Sequence, residues 1–131
     1  MDSRAFRLGL NDTTFFEVDN PTLFEVKEPL VADIELQCRA RHLIQGMVGQ
    51  FDLGEKLLAA GFDPTRPTCW LMEGLLPYLT VPVMRQLAND IGGRLPSRLA
   101  RTVPAHVTFM SARPMTVTRK VMSISLVGGP P

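Results

Sequence analysis

Thr13-Thr-Phe-Phe-Glu-Val-Asp19, followed at once by Asn20-Pro21, is the stretch on which the fold turns. β-Branched and aromatic side chains fit a pleated, half-buried surface, so a strand is predicted over 13–18. Asn20 suits a helix cap and Pro21 its first turn, where the missing amide hydrogen is not needed. A helix is therefore expected to run to about Glu28, with Leu23, Phe24 and Lys27 on neighbouring turns. Pro29 should end or kink it, because proline crowds the preceding turn. Leu30 to Cys38 reads as a second helical piece.

The same alternation recurs downstream. His42-Leu-Ile-Gln-Gly-Met-Val48 is a strand candidate interrupted by Gly46, and Phe51 to Gly61 is a compact helix unit. There Asp52 can cap, Glu55 follows three residues on, and Gly61 suits a left-handed stop. Asp63-Pro-Thr-Arg-Pro67 is a turn cluster. Thr68-Cys-Trp-Leu-Met-Glu73 reads as a buried strand with Trp70 in the core, Gly74 begins its exit loop, and Val81 to Ile91 is a helix closed by Gly92-Gly93. Strand alternating with helix predicts an α/β fold with a mostly parallel sheet and helices on its faces. Beyond Arg94 the pattern is broken by Pro96, Pro104 and Pro114, leaving Val107–Met110 and Val121–Val127 as strand candidates.

Composition bounds the function. The 131 residues suffice for one domain, and 45% apolar with 21% charged residues is an ordinary globular balance. A net charge of +1 with scattered basic residues leaves no footprint for nucleic acid. No apolar run is long enough for a membrane-spanning helix. The start, Met-Asp-Ser-Arg, has no apolar signal region, so a cytoplasmic protein is expected. Cys38 and Cys69 read as half-buried thiols rather than a disulfide or metal site, and His42 and His106 are too far apart in sequence to propose zinc.

Each of the three predicted strands ends at or shortly before an acid: Asp19, Asp52 and Glu73. Open parallel sheets bind ligands outside the carboxyl ends of their strands. Asp19 there can accept hydrogen bonds from vicinal ribose hydroxyls, Asp52 can meet an adenine amino group, and Leu53 can pack the ring. Glu73 would stand beside a cationic sulfonium or an ammonium. Plainer readings exist for each: Asp19 as an acid at a helix start, Asp52 as half of a capping box, Glu73 as a surface acid. Tyr78 is either a boundary aromatic with its hydroxyl in water or a substrate contact.

Several blocks resemble a known family. Asp2-Ser-Arg4, Phe16-Glu-Val-Asp-Asn-Pro21 with Lys27, Phe51-Asp-Leu53 and Gly61-Phe-Asp-Pro64 with Glu73-Gly-Leu-Leu-Pro-Tyr-Leu79 occur in the order found in leucine carboxyl methyltransferases. The resemblance implies a Rossmann-like methyltransferase fold, incomplete at both ends, that binds S-adenosyl-L-methionine. It implies cofactor contacts from Asp2, Arg4, Asp19, Asp52, Leu53 and Glu73, with Tyr78 toward the substrate. The resembling domain covers 1–93. Residues 94–131 are a divergent tail, weakly ordered or replacing the family's last strands, and the family's Gly-x-Gly turn would lie just before Asp2. The expected activity is O-methyl transfer to a carboxylate or hydroxyl of a small molecule or a protein, with no nucleic-acid or membrane partner. The alternative is a non-catalytic fragment or pseudoenzyme acting at most as a binding module. A nicotinamide-binding domain, whose Gly-x-Gly-x-x-Gly does not appear within these residues, is disfavoured chiefly by the resemblance of Glu73-Gly-Leu-Leu-Pro-Tyr-Leu79 to the methyltransferase family.

Overall fold

Leu10–Asp19 forms the first strand, β1, beginning earlier than its β-branched run predicts. The computed structural model describes residues 2–66, 68–73, 75–92, 106–110 and 123–128, the last two stretches by their backbone. After β1 come α1 (Pro21–Val31), β2 (Cys38–Gln45), α2 (Leu53–Ala59), β3 (Thr68–Glu73), α3 (Val81–Gly92), β4 (His106–Met110) and β5 (Ser123–Gly128). Short 3-10 turns cover Arg4–Phe6 and Leu76–Tyr78.

Local chemistry explains most boundaries. Asn20 caps α1 by accepting from the Thr22 amide, with Pro21 in the first turn. The helix passes through Pro29 instead of ending there. Pro29 is exposed and lies in the last turn, so the one carbonyl deprived of a partner can turn to water. The helical piece expected over Leu30–Cys38 does not form: α1 stops at Val31, and the chain bends into β2 at Cys38. Pairing with β1, from Leu10 opposite Cys38 to Asp19 opposite Gln45, outweighs local preference there. Gly46 stands just after β2, where a Cβ would meet the Phe51 ring at 2.5 Å. Gly61 ends the α2 unit at φ +87°, as its position predicts.

The described strands form one sheet in the order β2-β1-β5-β3-β4. β1 with β2 and β3 with β4 are parallel, while β5 runs antiparallel between β1 and β3. The sheet is thus more mixed than the sequence pattern implied. Met110 and Ser123 both stand level with Glu73, so the chain leaves β4 and enters β5 at the same edge. A strand entered at the edge where the previous one ended must run back against it. β1 and β3 remain parallel to each other, two strand spacings or about 10 Å apart.

Side chains alternate along β1. Phe16 and Val18 face a core with Ile44, Leu53, Leu57, Phe62, Trp70, Met72, Leu75 and Leu87, covered by α2 and α3. Phe15 faces the other side, packed with Ala5 and Phe6 and flanked by Val31 of α1. Helices therefore cover both faces around β1, as a doubly wound sheet requires.

Candidate functional site

The carboxyl edge of the sheet gathers the acids. Val18 and Met72 both stand opposite Ile124, so Asp19 and Glu73 end their strands at one level and one edge. Asp19 is 6% exposed. Its Oδ1 accepts from the Asn20 amide at 2.8 Å, while its Oδ2 is sealed from solvent without a partner among the described residues. Burial pushes this carboxyl up to about 6; the Asn20 amide, the amino-terminal charge and Lys27 oppose the rise, and Glu17 adds to it. A buried oxygen left without a donor is costly, so Asp19 Oδ2 is an acceptor whose hydrogen bond is unmade among the described residues.

The 3-10 turn supplies the rest of the edge. Asp2 Oδ1 accepts from the Arg4 amide at 2.9 Å and lies 3.1 Å from Arg4 Nε. The Arg4 guanidinium then reaches across 69 residues of chain to Glu73, with Nη2 2.8 Å from Oε2. Asp2, Arg4 and Glu73 are thereby brought together. Glu73 is no buried, unpaired acid: its side chain is 48% exposed and shares its charge with Arg4.

Asp52 and Leu53 lie after β2. Asp52 caps α2, its Oδ1 accepting from the Glu55 amide at 2.9 Å, which is the plainer role its spacing allowed. Leu53 is only 3% exposed and belongs to the core. What it shows outward lines a narrow recess between the loop after β2 and α3, with Val48, Gly49, Phe51 and Val83. Tyr78 is exposed in the turn that follows β3. His106 begins β4, so only its backbone position is defined, and His42 stacks on Phe16 at 5.0 Å. Among the described residues no His, Cys, Asp and Glu group has metal-binding geometry, and no helix is long and apolar enough to cross a membrane.

Sequence reasoning missed a charged network behind Asp19. Glu17, on the same face of β1, is paired with Lys27 of α1; both side chains are 2% exposed. Arg41 of β2 grips Glu17 through Nε and Nη2 at 2.9 Å each and Glu28 at 2.9 and 2.8 Å. Burial works against the Arg41 charge, but its bonds to Glu17 and Glu28 prevail and drive its pKa further up; the same bonds hold Glu28 below the usual carboxylate range. Two cations balance two anions, the condition under which burying charge is tolerable. The signal was present: an acid at position 17, inward by alternation in an apolar strand, requires a buried cation.

A doubly wound α/β domain with acids at its carboxyl edge is the class that fold and site define. The chain belongs to the leucine carboxyl methyltransferase family, whose sequence model matches residues 1–92. It is 39% identical over 92 residues to a Mycolicibacterium vanbaalenii protein named "Putative S-adenosyl-L-methionine-dependent methyltransferase". Proteins of the same description from Mycolicibacterium smegmatis and a Parafrankia species are 40% and 39% identical over 93 residues. These matches cover 70% of this chain but only 30%, 29% and 30% of those relatives. No solved structure matches the chain.

Proposed function

We propose that residues 2–92 form the cofactor-binding part of an S-adenosyl-L-methionine-dependent O-methyltransferase. One observation carries the reading: Asp19 holds a buried carboxylate oxygen with no donor among the described residues, at the sheet edge where ligands bind. Vicinal ribose hydroxyls would supply the missing donors. Asp52 and the recess beside Leu53 would take the adenine, and the Arg4–Glu73 pair, with Asp2 behind it, matches an amino acid's opposite charges. Tyr78 would stand on the substrate side.

The cofactor, when bound, supplies a methyl group already activated on a positive sulfur. A carboxylate oxygen would accept that methyl with no proton to lose, whereas a hydroxyl would have to release its proton to water or a base as well. The protein's part is to bind, to align and to keep water out. A carboxylate or hydroxyl of a small molecule or protein is the acceptor class we assign.

The test is calorimetric titration with S-adenosylhomocysteine. Asp19→Asn keeps the shape but removes the charge, and affinity should fall by about tenfold or more, since charge-assisted bonds contribute about 1.5–3 kcal/mol. Unchanged affinity in a folded variant would remove Asp19 from the site.

A second reading, binding without turnover, is favoured by β5. In a doubly wound sheet the central strand and its glycine-rich turn hold the cofactor. Here that place, between β1 and β3, is taken by an antiparallel strand that begins at the ligand edge with Ser123.

A further inference from the structure

Asp19 and Glu17 lie on one face of β1, two residues apart, with α1 covering that face. Glu17 is sealed between Lys27 and Arg41. We propose that Lys27 is a positioning residue for the nucleoside end of the site: its buried charge offsets Glu17 and keeps the Asp19 carboxylate available to hydrogen-bond donors. The inference rests on the ribose reading of Asp19 given above.

The argument is electrostatic and local. Arg41 divides its bonds between Glu17 and Glu28, so it does not neutralise Glu17 alone. Lys27 supplies the remaining positive charge, and with it the four buried or half-buried groups sum to zero. Without Lys27 the group carries one net negative charge close behind a carboxyl that is already poorly hydrated. Fields in such a place are weakly screened, so the second anion would be resisted.

Other charged groups bear on Asp19 as well. The amino-terminal charge favours its ionised form, as does Lys27, while Glu17 opposes it. Across the edge stand Arg4, Asp2 and Glu73, whose charges are engaged with one another. Lys27 is the side-chain cation whose field lowers the Asp19 pKa, so it is the one to change.

The experiment follows the Asp19 carboxyl by NMR in the whole chain, ¹³C-labelled at aspartate, across a pH titration, with Asp19→Asn assigning the signal. Lys27→Met removes the charge and keeps much of the length. The Asp19 midpoint should rise by about one pH unit or more, and Lys27→Arg should restore it. The double variant Glu17→Gln with Lys27→Met removes both charges, tolerates the fold better, and should return the midpoint toward its starting value. S-adenosylhomocysteine affinity measured in parallel should drop in Lys27→Met most at the pH values between the two midpoints. An unmoved Asp19 midpoint in Lys27→Met, or one equally moved in the double variant, overturns the proposal. A moved midpoint with no Asp19-dependent binding instead sinks the ribose reading and leaves the coupling standing.

Discussion

Asp52 carries two claims at the scale of a single residue. Its φ and ψ are extended and its side chain holds the Glu55 amide, so it caps α2 whatever else it does. Asp52→Ala should cost about 1 kcal/mol in urea unfolding, while Asp52→Ser, itself a good cap, should recover most of it. If Asp52 also meets adenine, both variants lose S-adenosylhomocysteine affinity although only one loses stability. Equal affinity in Asp52→Ser and the parent chain would leave Asp52 a cap alone. The cap was legible because Asp-x-x-Glu before an apolar helix is a local pattern. For Glu17 only the need for a cation was legible; which cations meet it was not, because Lys27 and Arg41 come from other elements. Leu53 was expected to pack against an adenine ring; its burial in the core depends on where α3 lies, which the local sequence does not give.

Elements were readable in proportion to how much of their stabilisation is local. Thr68–Glu73 forms the strand its apolar run predicts, and Val81–Gly92 is the expected helix. β2 starts earlier than expected because its length is decided by β1 alongside it. β5 is the extreme case, since Val121–Val127 reads as a strand yet nothing in it names its neighbours. Its backbone pairs on both sides, with Ser125 opposite both Glu17 and Leu71. Proline there removes an amide hydrogen and forces its ring into an interior ladder. Ser125→Pro should therefore lower the thermal midpoint by roughly 10 °C or more, or abolish cooperative melting followed by circular dichroism. A melting curve identical to the parent's would show that β5 is not an interior strand.

For the whole molecule, the question is whether an edge that binds can also react. Methyl transfer needs donor and acceptor in line at near-contact distance, and small misplacements cost orders of magnitude in rate. Because β5 enters the central place antiparallel, this chain should bind S-adenosyl-L-methionine without transferring its methyl group. Incubation with the labelled cofactor and carboxylate acceptors should give no product above a protein-free control; steady turnover would show that the edge aligns both reactants unaided. Family membership and, apart from the helical piece expected over Leu30–Cys38, the run of strands and helices were determined by the sequence itself, since caps, turn glycines and apolar periods act within a few residues. So were the types of the edge residues Asp19, Arg4 and Glu73. Only the tertiary structure decided that Arg4 meets Glu73, that Glu17 is neutralised by Lys27 and Arg41, and that β5 divides β1 from β3. Each of those depends on contacts between residues far apart in the chain, where backbone pairing and the cost of burying charge, rather than local preference, select the arrangement.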